Sequence, residues 1–143
     1  MKRIAVLIAG VAVAVAGTLA YALPGDAAKA GTLRDAVLVG GNEVPGPGDS
    51  DGFGLAKVRV DPGGQVCWQI NASAVRPITA AHIHAAPRGV AGPVVVTLDP
   101  IDSGCAFIRG NLARVIAEHP AQFYVNLHNA EFPAGAVRGQ LLR

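Results

Sequence analysis

Over 143 residues, 51% are apolar and 15% charged. That suits one domain with a packed core and excludes an intrinsically disordered chain. The formal net charge is only +2, with no basic run beyond the first residues, so nucleic-acid binding is not predicted.

The chain starts Met1-Lys2-Arg3, and Ile4 to Ala20 is apolar except for Gly10, Gly17 and Thr18. Ala20-Tyr21-Ala22 then places small residues at cleavage spacing ahead of Leu23-Pro24. This predicts a secretory signal peptide over 1–22, with Ala28-Lys29-Ala30 as a second cleavage site. An uncleaved anchor is the competing reading, because the apolar run is nearly long enough to span a bilayer. The Ala-x-Ala pattern and the proline behind it favour cleavage. The product is then secreted or periplasmic and not held at a membrane. Cleavage removes Lys2 and Arg3 and leaves 10 basic against 10 acidic residues.

Residues 23–31 read as a flexible tail, and residues 32–143 as one β-domain. Thr32–Val39 is a first strand, stopped by Gly40-Gly41. Asn42–Gly52, dense in Pro, Gly, Asp and Ser, reads as a surface loop. Its Asp49 and Asp51 lack the further ligands of a calcium loop. Phe53–Val60 and Gln65–Ala72 alternate around Asp61-Pro62-Gly63-Gly64 and form the clearest hairpin. In it, Trp68 falls on the apolar face and is expected in the core. Asn71-Ala72-Ser73 fits a glycosylation sequon, meaningful only in a eukaryotic secretory pathway. Cys67 and Cys105 both lie in the exported part, so a disulfide between them is expected, stabilising the fold by about 3–4 kcal/mol.

The stretch Ala80–Leu98 carries His82 and His84 one residue apart, then a bend at Pro87, Gly89, Gly92 and Pro93, then the apolar run Val94–Leu98. In a strand His82 and His84 share one face while Ile83 takes the other. Cys105–Arg109 is a further short strand, and Asn111–Glu118 a short helix with Asn111 as its N-cap and Leu112, Val115 and Ile116 facing inward. His119-Pro120 ends it, which makes His119 the weakest ligand candidate. Phe123–Ala130 alternates Tyr124, Asn126 and His128 against Val125 and Leu127, and Ala136–Leu142 returns as the last strand. About eight short strands, one short helix and many turns predict an all-β fold. Its architecture is an antiparallel Greek-key β-sandwich or barrel, immunoglobulin-like or superoxide-dismutase-like.

Five ordered motifs carry a resemblance: Gly41-Asn42-Glu43-Val44-Pro45, Ala81-His82-Ile83-His84, Gly89-Val90-Ala91-Gly92-Pro93-Val94-Val95, Tyr124-Val125-Asn126-Leu127-His128 and Pro133-Ala134-Gly135-Ala136-Val137-Arg138-Gly139-Gln140-Leu141. Together they resemble the CHRD domain, the repeated module of chordin that also occurs alone in secreted bacterial proteins. The similarity spans roughly residues 33–142. Two loop positions depart from it, Ala85-Ala86-Pro87-Arg88 after the histidine pair and Ala136 where an acidic residue is common. The resemblance implies an extracellular β-domain. It does not transfer the growth-factor partner of chordin, because fold does not fix function.

The candidate chemistry is a metal site of His82, His84 and His128. Three imidazoles suit zinc with an open fourth position, and copper equally. The pattern is similar to that of copper-zinc superoxide dismutase, whose further metal-site residues have no counterpart here. Asn126 and Tyr124 share the strand face of His128, and Asn126 is the expected second partner fixing an imidazole tautomer. The structural alternative has each ring hydrogen-bonded to a main-chain carbonyl, Asn126 pinning a turn, and Arg138 pairing with Glu131 or capping carbonyls near the closing hairpin. No G-x-S-x-G, phosphate-binding glycine loop or H-E-x-x-H is present. The reading is therefore a secreted, non-enzymatic binding or structural module for a protein or surface ligand. The alternative is a copper- or zinc-binding protein with superoxide-type redox activity.

Overall fold

The computed structural model describes residues 31–142 apart from position 76. The expected signal peptide and all but the last residue of the expected tail lie outside the described residues. The chain forms β1 (Thr32–Val39), β2 (Phe53–Val60), β3 (Gln65–Ser73), β4 (Ile78–Ala85), β5 (Val94–Thr97), β6 (Ser103–Phe107), α1 (Leu112–Glu118), β7 (Phe123–Asn129) and β8 (Val137–Gln140). Single 3-10 turns cover Gly40–Asn42 and Pro120–Gln122.

All eight strands join one sheet in the order β5-β4-β7-β8-β1-β2-β3-β6, and each pairing is antiparallel. Laid flat, eight strands would separate β5 from β6 by about 34 Å. The link between them, Leu98 to Asp102, reaches about 20 Å at most. The sheet must therefore curl, and it does so into a nearly closed barrel. Ile70 N–H donates to Asp102 O at 2.8 Å and Trp68 Nε1–H to Pro100 O at 2.9 Å, which lays this link across β3. The expected all-β antiparallel barrel with one short helix is the observed fold.

Alternation fills the interior. Val58, Val60, Val66, Trp68 and Ile70 from β2 and β3 meet Leu38, Ile83, Val125, Leu127 and Val137 in one buried cluster. Cys67 and Cys105 stand opposite each other in the β3–β6 register and form the disulfide, 38 residues apart in sequence.

Three expectations are corrected. β6 ends at Phe107, before the expected Arg109, because it is paired only as far as Gln65 on β3. Asn111 precedes α1 and its carbonyl accepts from Val115 N–H, yet its side chain makes no cap. The expected Leu112, Val115 and Ile116 of α1 do pack against the core, Ile116 buried and the other two half-buried, joined by Ala113 and Ala117.

The third correction matters most for function. The loop Asn42–Gly52 does not stand out in solvent, since Glu43, Gly48, Asp49 and Gly52 are buried. Gly48 N–H donates to Gly40 O at 3.1 Å and Asp49 N–H to Ala136 O at 2.8 Å, strapping the loop over β8. Glycine permits that approach, for a Cβ at Gly48 would strike Ala136 O. Composition marked a loop correctly, but glycines let backbone pack where side chains would have held it off.

Candidate metal centre

The strap creates an uncommon environment along β7. Both faces of this strand are covered, and every residue from Phe123 to Asn129 is buried except the half-buried His128. One face enters the apolar core. The other carries a polar layer built in register: His82, Asn126 and Arg138 form one rung across β4, β7 and β8, and His84, Tyr124 and Gln140 form the next. His128 pairs with Ala80, which makes it the diagonal neighbour of His82, within reach of a ring.

The three candidate ligands come together. His82, His84 and His128, all half-buried, each present a ring nitrogen, and these nitrogens lie within 4.8 Å of one another. His82 Nδ1 is 3.1 Å from His128 Nε2. His84 Nδ1 is 2.9 Å from Gly92 O, and His128 Nδ1 is 3.1 Å from Pro133 O. Carbonyls only accept, so both Nδ1 atoms carry the proton, and in the neutral rings both Nε2 atoms present a lone pair. His128 Nε2 then accepts from His82 Nδ1–H. His84 Nε2 is buried without any hydrogen-bond partner.

Carbonyl bonds were the alternative to a ligand role at the level of sequence. In the structure they engage the far nitrogen of His84 and His128 and turn the near one toward the cluster, where His84 Nε2 has no partner and His128 Nε2 meets only His82. That is also how metal-binding imidazoles are oriented. A tetrahedral zinc site spaces its nitrogens by roughly 3.4 Å, so modest ring rotations would close the group.

The electrostatics keep the rings neutral. Burial lowers the pKa of His82, and the neighbouring His128 and His84 lower it further. Burial also lowers His84, opposed by its bond to Gly92 and reinforced by the Arg138 cation. His128 is lowered by burial, opposed by its bond to Pro133 and reinforced by His84. Neutral imidazole is the form that ligates metal.

Around the rings the layer is tightly built. Tyr124 stacks on His84 with ring centroids 4.8 Å apart and planes 10° from parallel. The Arg138 guanidinium lies 3.4 Å from the centroid of the Tyr124 ring. Because β7 sits between β4 and β8, imidazole and guanidinium reach Tyr124 from opposite sides. Gly92 N–H donates to Tyr124 Oη at 3.2 Å, so one glycine holds both Tyr124 and His84.

Asn126 does not orient an imidazole. Its Nδ2 donates to Glu43 Oε1 at 2.5 Å, and the tautomers are set by main-chain carbonyls instead. The residue that pins the β7–β8 turn is Asn129, whose Oδ1 accepts from Phe132 N–H at 2.7 Å. Arg138 caps a carbonyl, but in the opposite loop, donating from Nη2 to Pro87 O at 3.0 Å. His119 is exposed at the end of α1, as expected.

Two members of the layer were not legible as such. Glu43 belongs to a loop whose composition marks surface, yet it is 8% exposed, and its pKa is raised to about 7 by burial, against the lowering effects of Asn126, Arg138 and Val44 N–H. Arg138 is 1% exposed and leaves Nη1 without a partner. The available signal was their place in two of the five motifs. Such motifs name positions without saying what they touch.

No curated protein and no solved structure matches the chain. The family model described as the CHRD domain matches residues 34–141. That span runs from β1 through β8 and contains the strap, the histidine cluster and the Arg138 strand, so the chain belongs to the CHRD-domain family.

Proposed function

We propose that this protein is an exported binding module that holds one first-row transition metal ion, zinc or copper, through His82, His84 and His128. The carrying observation is the buried, unpartnered Nε2 of His84 beside the His82–His128 pair. A buried polar atom without a partner is costly, and a cation at this point would satisfy it while using the lone pair of His128 as well. Nitrogen donors favour zinc and copper over calcium and magnesium. Loading requires His82 to surrender its Nδ1 proton, either by moving it to Nε2 or by turning the ring. The other two rings are already in the ligating tautomer.

Export is supported by the N-terminal pattern and by the disulfide, which persists in oxidising compartments. No helix among the described residues is long and apolar enough to cross a membrane. Elemental analysis of the protein after exposure to zinc or copper and gel filtration is the test. One equivalent is expected for the native chain and none for the His82→Ala/His84→Ala double variant, with circular dichroism confirming that the variant is folded. A native chain that retains no metal overturns the proposal.

A further inference from the structure

We infer that the metal at the three histidines keeps one coordination position for a small inorganic anion, and that Arg138 biases the site toward anions over neutral ligands. This inference rests on the metal reading. It follows from the charges around the site.

The three imidazoles are neutral donors, so a divalent ion bound by them keeps its full double charge. Among the described residues no carboxylate or thiolate joins the cluster. The rings are half-buried, where an uncompensated charge is less screened than in water. A cation held by three neutral ligands leaves a fourth position open in tetrahedral geometry. A negative ligand there removes most of the imbalance, and a water molecule does not.

The surroundings reinforce the sign. Arg138 is a buried cation on the far side of the Tyr124 ring, close enough to act on His84. Its Nη2 is committed to Pro87 O and its Nη1 has no partner. The one buried carboxyl of this layer, Glu43, is held by Asn126 and packed against Gly135, where a Cβ would strike its Oε2. Its partners are Asn126 and Arg138, and it is not a member of the ligating group. Glu43 attracts Arg138 and offsets part of its charge, but the three neutral rings offset none of the metal's, so the charge around a bound metal stays positive.

The test loads the purified protein with Co2+, whose visible bands report the ligand field, and titrates it with azide, with perchlorate as a weakly coordinating control. A saturable change of the bands with azide at one equivalent per cobalt, and none with perchlorate, is the expected result. Arg138→Met should weaken azide binding by roughly tenfold while cobalt stoichiometry stays at one. Arg138→Lys, which keeps the charge, should retain most of the affinity and serves if Arg138→Met does not fold. Stoichiometric cobalt with bands indifferent to azide overturns the anion position and leaves the metal reading standing. Equal azide affinity in the native chain and Arg138→Met removes Arg138 from the assignment. Failure to bind cobalt, zinc or copper overturns both readings together.

Discussion

β2 and β7 are strands of nearly the same length with opposite economies. β2 alternates strictly, with Gly54, Ala56, Val58 and Val60 inside and the residues between them exposed. β7 is covered on both faces, and its second face holds Tyr124, Asn126 and His128. One-sided burial builds scaffold, because apolar side chains gain by leaving water and polar ones stay in it. Two-sided burial of polar side chains is costly unless each group finds a partner. On β7 most do: Asn126 has Glu43, Tyr124 has Gly92, and His128 has Pro133. On the strands flanking it, His84 Nε2 and Arg138 Nη1 lie in the same layer without a hydrogen-bond partner; Arg34 Nε, on β1, is also unpartnered but lies elsewhere. The site is where the second cover leaves hydrogen-bonding capacity unspent.

The scaffold side should break hardest. Trp68→Ala removes the largest side chain of the β2–β3 wall and its bond to Pro100 O, and should cost about 3–5 kcal/mol in urea unfolding. Metal stoichiometry of the folded fraction should not change, since Trp68 belongs to the apolar core cluster and not to the polar layer. Reduction of Cys67–Cys105 should cost about 3–4 kcal/mol, read as a lower urea midpoint with reductant, again without loss of the histidine cluster.

The polar side should respond to pH instead. Glu43 has a folded pKa of about 7 against an ordinary 4.5, so its neutral form is favoured in the fold. Its contribution is complete below about pH 4.5 and is lost as pH rises through about 7, a swing of about 3 kcal/mol. Glu43→Gln should flatten the stability profile across that window. A profile of unchanged slope would show that the carboxyl is already ionised in the fold. The histidines slope the other way: their lowered pKa values favour the neutral rings, so their share of stability is lost as pH falls below the ordinary imidazole value. The smallest effect belongs to Asn111→Ala. Its side chain caps nothing, so the thermal midpoint should shift by less than about 0.5 kcal/mol equivalent, where a working cap would cost about 1.

Much of the barrel was legible along the chain. Alternation placed β2 at its observed bounds and β3 to within one residue, and turn residues located the β2–β3 and β7–β8 hairpins. The cysteine pair followed from the expectation of export and from the chain having only two cysteines. The histidine pair on one strand face followed from a period of two. What alternation does not state is which strand lies beside which, or what lies above a polar face.

Those decisions belong to the tertiary structure. Setting β4 against β7 with Ala80 opposite His128 brings the third imidazole to the first two; a slip of one residue would have sent it to the core face. The strap over β8 turned Glu43 from a loop residue into a buried acid. Local sequence sets the direction in which each side chain points, since that depends on backbone geometry alone. What each side chain meets depends on contacts between segments far apart in the chain, and these exist only once the sheet has curled.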